Sequence, residues 1–372
     1  MSKNQLQNRY LAIDVMRGMT VALMIVVNMS ISSQLSYSQL LHATWFGFTL
    51  TDAIFPTFLF VVGSSMAFTM PRYENGNGNE LFIKTIKRAF LIFLFGFIVS
   101  NFPFFHLKNG EIILQSFDNL RFLGVLQRIG ICFALATLII HFTGKKGALI
   151  YSILSLPVYW FLISQFGDYS LEHNAALKLD LAIFGASHLY KGEGIPFDPE
   201  GLLGIIPSLA NLLSGYLVVN FLRNASDKKN ANFKIITLGI FLIIIGNIWA
   251  QFFPISKKLW TSSYVCLTIG IDCLVLGLLV YFIDICDLKK GTYYFEVFGK
   301  NTLFIYIFAE ILMSILWTIQ INGTELMMVI YNDIFAKVAP IKIASLLFSL
   351  MFMQLCWFIA YWLDKKKIYI KI

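Results

Sequence analysis

Residues 13–28 read IDVMRGMTVALMIVVN. The apolar run that contains them extends over residues 11–32, and at about 1.5 Å per residue it can cross about 30 Å of hydrocarbon. Yet it carries Asp14, Arg17 and Asn28. Ionisable groups at membrane depth cost about 2.5–3.5 kcal/mol on insertion scales and therefore face a bundle interior. The stretch predicts a transmembrane helix that holds polar groups inside a larger assembly of helices.

Outward from this helix, similar runs appear at 50–70, 82–104, 121–142, 148–166, 201–222, 234–253, 264–284, 301–320 and 341–363. The composition agrees. Hydrophobic residues make up 58% of the 372 residues and charged residues only 13%, with a mean hydropathy of +0.72. A soluble domain carries about 25% charged residues. This chain cannot clothe a water-facing surface, which excludes a soluble globule, a disordered chain and a nucleic-acid binder. The expected fold is all-α, a polytopic membrane bundle of about ten transmembrane helices. Without a repeat, a low-complexity tract or a linker, residues 1–372 form a single domain.

The net charge of +8 is read through topology. With the N-terminus placed inside, nineteen Lys and Arg fall on inner segments and eight on outer ones. The positive-inside rule then puts both termini in the cytoplasm. The polar first nine residues, followed at once by a full span, predict no cleavable signal. Residues 33–49 are too polar to span and should pack at the outer mouth. The outer loop 167–199 contains LEHNAALKLDLAIFGASHLY, which suggests a short amphipathic helix on the membrane surface. Of the cysteines, Cys132, Cys266, Cys273, Cys286 and Cys356, four lie in apolar runs and no CxxC pair occurs. They are expected to be small buried apolar residues.

The ionisable residues inside the spans are the functional candidates. Asp14 and Arg17 share a helix face at i,i+3. They form either a packing ion pair or a site where Arg17 meets a phosphate entering from the cytoplasm. His42 precedes the second helix, and Asp52 stands at that helix's outer start. A neutral imidazole can act as a general base or nucleophile near pH 7, oriented by a carboxylate; the alternative is an interfacial histidine that only bonds a loop carbonyl. Arg128, about 10 Å inside the outer end of the 121–142 run, needs a polar cavity or an acidic partner. Asp198 and Glu200 stand at the outer mouth of the sixth span, where acids also serve as helix caps. Asp272 and Glu310 are expected to pair with a buried Arg or hydroxyl. His106, His141 and His173 have no motif context. Without HExxH, Walker or GxGxxG patterns, no metal site is predicted, and redox chemistry and ATP-driven transport are disfavoured.

Six segments, in this order, resemble the transmembrane acyltransferases typified by heparan-α-glucosaminide N-acetyltransferase. They are IDVMRGMTVALMIVVN (13–28), HATWFGFTLTDAIFPTFLFVVG (42–63), GVLQRIG (124–130), FGASHLYKGEGIPFDPEGLLGIIPS (184–208), PISKKLWTSSYV (254–265) and GKNTLFIYIFAE (299–310). The resemblance spans nearly the whole chain. It implies transfer of an acetyl group from cytoplasmic acetyl-CoA to an amino sugar on the far side of a bacterial inner membrane. It makes His42 the catalytic residue, with Asn28 and Asp52 beside it. Asp14, Arg17, Arg128 and Lys300 become the candidates for holding acetyl-CoA. Trp45, His188, Asp198, Glu200 and Trp260 become those for the acceptor. Phe46 departs from the polar residue that relatives often carry after the Trp, and Asp272 is not expected from the pattern. Human-type relatives also have a lumenal N-terminal extension, and whatever depends on it is not expected here. Arg9, Arg17, Lys84, Lys87 and Lys300 could hold the nucleotide phosphates. The partners implied are an amino-sugar acceptor and membrane lipids, with no nucleic acid, and a homodimer is open to such a bundle. The competing function is a secondary transporter of a sugar, against which no inverted repeat is visible although Pro56 and Pro207 could kink helices.

Overall fold

A computed structural model describes residues 10–73, 78–108 and 111–370; Lys3 and Arg9 lie outside them. The chain forms α1 (Leu11–Asn28), α2 (Leu50–Thr69), α3 (Gly78–Asn101), α4 (Val125–Phe166), α5 (Ala175–Phe184), α6 (Ile205–Asn224), α7 (Lys228–Trp249) and α8 (Ser262–Leu279). These are followed by α9 (Thr292–Lys300), α10 (Thr302–Thr318), α11 (Leu326–Ile330) and α12 (Ile341–Lys365). Two short antiparallel hairpins, Phe105–Lys108 with Glu111–Leu114 and Gln320–Ile321 with Thr324–Glu325, are the strands among the described residues. Among the described residues seven helices, or eight if the bent α9–α10 pair is one span, are long and apolar enough to cross a membrane, fewer than the ten expected. The protein is a polytopic all-α membrane protein.

Each predicted run corresponds to helix, with three departures that have physical causes. The runs at 121–142 and 148–166 are the two halves of α4, which breaks at Gly144 with φ 64° and ψ −160°. That conformation falls in the region open to glycine. The α4 helix begins at Val125, not residue 121, because the apolar segment before it is extended loop. The α9–α10 pair bends by 81°, because Asn301 (φ −127°, ψ 38°) ends α9. Asn301 holds the chain's far end there, donating to Ile368 O at 3.0 Å and accepting from Ile370 N at 2.9 Å.

In lipid the hydrophobic effect does not drive helices together, so close packing and interhelical polar bonds must do so. On α2, a Cβ at Gly63 would stand 1.7 Å from Leu212 O, and one at Gly215 on α6 would stand 1.9 Å from Phe60 O. The two backbones touch because both positions lack side chains. Two apolar clusters flank α1. One joins it to α2, α4, α6 and α8; the other joins it to α9, α10 and α12. Polar bonds cross between helices: Thr57 to Asp272 at 2.5 Å, Asn211 to Thr268 at 3.0 Å, and Asn28 to Glu310 at 2.8 Å. Such bonds average about 0.6 kcal/mol each in a membrane protein. Asp272 thus meets a hydroxyl, as expected, whereas Glu310 meets an amide in place of the Arg or hydroxyl expected. Only 28% of the apolar window of α7 is buried, so most of that helix faces outward from the bundle. Four cysteines are buried as expected, but Cys286 is exposed in the turn after α8.

Residues 33–49 fold as a loop at the Asn28 end of α1, with Trp45 donating to Tyr169 O at 2.7 Å. The helix expected in loop 167–199 is α5, capped by Asn174, whose side chain accepts from Leu177 N at 2.8 Å. Its buried Asp180 accepts from Leu202 N at 3.0 Å, which packs α5 onto the loop leading into α6.

Candidate active site

The helix start at Thr49 builds the centre of the site. Thr49 caps α2, and Asp52, at its third position, returns a bond to Thr49 N–H at 3.0 Å, a capping box of the kind this spacing favours. The same carboxylate oxygen accepts from Ala43 N at 3.2 Å. The other, Oδ1, lies 2.6 Å from His42 Nδ1. Asp52 is fully buried while the His42 side chain keeps 42% of its surface open. Tyr264 donates to the main-chain oxygen of Asp52 at 2.6 Å, which fixes the turn from below. Opposite an ionised carboxylate, Nδ1 carries the ring hydrogen and donates it, leaving Nε2 as the basic nitrogen.

His42 lines a small cavity of about 70 Å³ with Asn28, Thr51, Lys257 and Tyr306 as its other polar walls, among apolar residues of α1, α2 and α4. Thr51 is spent on Gln39 O at 3.2 Å. Burial and the Lys257 ammonium both push the His42 imidazole below its usual range, partly offset by Asp52 and Glu200. The ring stays neutral and basic to lower pH than a free histidine.

At the other end of α1 an open cleft of about 440 Å³ is lined by Arg17, Arg88 and Lys300, together with Thr20, Ser65 and apolar side chains. No acidic side chain is among its described lining residues. Arg17 bonds Asp14 at 3.2 Å, Gly299 O at 3.3 Å and Ser65 at 2.8 Å. The ion pair and the cleft position therefore coexist. Lys300 is held by Asp364 at 2.9 Å. Arg88 lies over the Phe133 ring at 4.8 Å and was not singled out by the sequence. Lys84 pairs instead with Glu80 on the exposed face of α3 at 2.5 Å, and Lys87 is exposed. Both cavities are lined by Phe58, Leu126 and Ile129. The two cavities share this apolar wall, and Arg17 lines one while Asn28 lines the other. Eleven residues of α1 separate these two, about 16 Å of helix rise.

The structure brings Asp198 and Glu200 together through Arg121, at 2.7 Å from each; Glu200 also meets Lys257 at 3.4 Å. Neither acid caps α6, which begins later, at Ile205. Burial pushes the Glu200 carboxyl up, but Lys257 and Arg121 outweigh it and hold it down at about 2. Sequence reading missed Arg121 and Lys257, which it counted only as loop charges. Arg128 is not brought to Arg17 and Lys300. It is 2% exposed, donates to Pro199 O at 3.0 Å and Gly201 O at 2.9 Å, and lies 4.9 Å over the Trp260 ring. Of the polar cavity or acidic partner expected, it has neither as a direct bond; its charge is met by carbonyl oxygens. Trp260 is fully buried, donating to Asn211 at 3.0 Å. Trp45 packs edge-on against Phe197 at 5.3 Å. His188 stacks on Phe122 at 4.3 Å and bonds Leu120 O at 2.8 Å. None of Arg128, Trp260, Trp45 and His188 lines the His42 cavity. Phe46 is 46% exposed beside Trp45. His173 lies on the surface near Asp168, and the His106 side chain lies outside those described.

A histidine–aspartate pair near one end of α1 and a cationic cleft near the other coincide with a family match. The family model described as heparan-alpha-glucosaminide N-acetyltransferase, catalytic, covers residues 9–248. The chain belongs to this family. It is 26% identical over 365 residues to the mouse heparan-alpha-glucosaminide N-acetyltransferase, covering 82% of this chain and 54% of the relative. The human protein of the same name is 26% identical over 360 residues, covering 82% and 53%. The chain thus spans about half the length of the curated relatives it matches. The family match includes His42, Asp52, Arg17, Arg88 and Glu200, and ends before Lys257 and Glu310.

Proposed function

We propose that the protein is an acetyl-CoA-dependent N-acetyltransferase that acetylates an amino sugar across the membrane. The observation that carries this reading is that the Arg17 cleft and the His42 cavity adjoin, sharing Phe58, Leu126 and Ile129 as a common wall. Acetyl-CoA supplies an activated acetyl thioester. Its phosphates suit a cleft walled by Arg17, Arg88 and Lys300 with no lining acid, since guanidinium and ammonium groups are the usual phosphate partners. Its narrow arm suits the apolar wall that the two cavities share. The Arg17 end faces the cytoplasm in this reading, in keeping with the excess of Lys and Arg on that side.

At the other end His42 Nε2 takes a proton from the acceptor amine as its nitrogen attacks the thioester carbon. The carbon–sulfur bond breaks, and the imidazolium returns that proton to the departing thiolate. Amine and thioester become amide and thiol. Asp52 holds the imidazole in the tautomer this requires. Asn28, oriented by Glu310, faces the acyl carbonyl. Arg128 braces the turn before α6 against α4, and the acidic Asp198–Glu200 pair borders the acceptor's entrance. The relatives' names, which give a glucosaminide as acceptor and acetyl as the group moved, support a free amino sugar such as glucosamine or a cell-wall fragment.

The test uses purified protein in detergent with acetyl-CoA and glucosamine. Free CoA and N-acetylglucosamine should appear in equal amounts. Glucosamine uptake into proteoliposomes without any CoA release would overturn the reading in favour of a transporter.

A further inference from the structure

The walls of the His42 cavity leave one task that the neutral amide of Asn28 meets only in part. When the acyl carbon is attacked, its oxygen gains nearly a full negative charge in an apolar cavity, where a fixed donor is worth far more than in water. Asn28 gives one of its two N–H groups to Glu310 at 2.8 Å, which leaves a single uncharged donor for that oxygen, and the Thr51 hydroxyl is turned to Gln39 O. Lys257 is the one cation among the described lining residues.

We infer that Lys257 is a catalytic residue of this site, its ammonium donating to the acyl oxygen as that oxygen becomes negative. The inference rests on the acyl-transfer reading. The surroundings of Lys257 are those such a donor needs. Its side chain is only 11% exposed, so solvent does not screen it. Glu200 takes one of its three N–H groups at 3.4 Å, and Glu200 is itself fixed by Arg121 at 2.7 Å. Asp198 completes the set through its own paired bonds to Arg121 at 2.8 and 2.7 Å. Two acids and two cations balance, so the ammonium is anchored without being an orphan charge in the protein. Its tether is also the longer of the two that Glu200 makes. An anion forming in the cavity can compete for it.

The same ammonium acts on His42. The charged and titratable groups around the imidazole are Asp52 on α2, Lys257 and Glu200 from the outer loops, and Tyr306 on α10 across the cavity. Lys257 opposes the imidazolium, which keeps the ring a base before attack and favours return of its proton to the thiolate afterwards. The neighbouring Lys258 points elsewhere, into an ion pair with Glu193, so the two adjacent lysines have different work.

Turnover, acetyl-CoA affinity and the pH profile are measured on wild type, Lys257→Met, Lys257→Arg and the double variant Lys257→Met/Glu200→Gln, each checked for its melting temperature. Loss of one oxyanion donor typically slows turnover about 10²–10³-fold. Lys257→Met should show that loss with acetyl-CoA affinity within about twofold, and its acid limb should move to higher pH because the opposing charge is gone. Lys257→Arg should recover at least about a tenth of the rate. The double variant removes the carboxylate that would be left unpaired, so it should fold even where the single variant does not, and it should be slow. A folded single or double variant turning over within about threefold of wild type, with an unmoved acid limb, overturns the inference alone. Absence of acetyl transfer in the wild type overturns the acyl-transfer reading and this inference with it.

Discussion

His42 Nδ1 and Asp52 Oδ1 stand 2.6 Å apart across the start of α2. The carboxylate that caps the helix is also the one that orients the ring. Asp52→Asn separates these roles. The asparagine oxygen can still accept from Ala43 and Thr49, and its amide then faces His42. That forces the ring hydrogen onto Nε2 and removes the base. Turnover should fall about 10²–10⁴-fold with little change in melting temperature. An Asp52→Asn variant as active as wild type would show that the pair only packs the loop.

The acid limb of kcat/KM should lie below the ordinary imidazole value of about 6.5. Burial and Lys257 lower the His42 pKa, so the neutral, base-competent ring persists as pH falls and is lost only beneath that lowered value. A pH–rate profile with its limb at or above 6.5 would contradict this placement of the charges.

Charge in the cleft should govern donor affinity. Hydrogen bonds to charged groups contribute about 1.5–3 kcal/mol. Arg88→Ala, which leaves the α1 ion pair intact, should therefore weaken CoA binding about tenfold or more by calorimetry. Arg17→Ala should weaken it too, with some loss of stability, because Arg17 also ties α1 to Ser65 and Gly299. Unchanged CoA affinity in folded Arg17 and Arg88 variants would leave the ion pair as a packing device only.

Gly63 tests the scaffold. A leucine there would drive its Cβ to 1.7 Å from Leu212 O and wedge α2 from α6. Overpacking of this kind costs about 1–3 kcal/mol. Gly63→Leu should melt earlier in detergent and lose turnover, since α2 carries Asp52; an unchanged melt would mean the helices part freely.

Much of this was legible in the sequence because lipid imposes long apolar runs, and the runs became the helices. Asp14 and Arg17 meet because three residues on a helix bring them together, and His42 meets Asp52 across a single cap. What the sequence hid depends on distant segments. Glu200 and Lys257 are 57 residues apart, and Asn28 and Glu310 are 282 apart, so nothing local pairs them. Phe122 and Leu123, apolar but in the loop before α4, mimicked helix, which placed Arg128 too deep and suggested a polar cavity or an acidic partner where backbone carbonyls suffice. The α9–α10 bend turns on Asn301, a residue that ordinary helices tolerate.

The central claim is that His42 performs the transfer while acetyl-CoA is held elsewhere. One preparation of His42→Ala, assayed for both, tests it. Acetyl-CoA should bind as to wild type, because the cationic cleft lies at the opposite end of α1. Formation of N-acetylglucosamine should fall at least about a hundredfold, the lower end of what a general base contributes. Near-normal turnover in this folded variant would contradict the account and remove His42 from the mechanism.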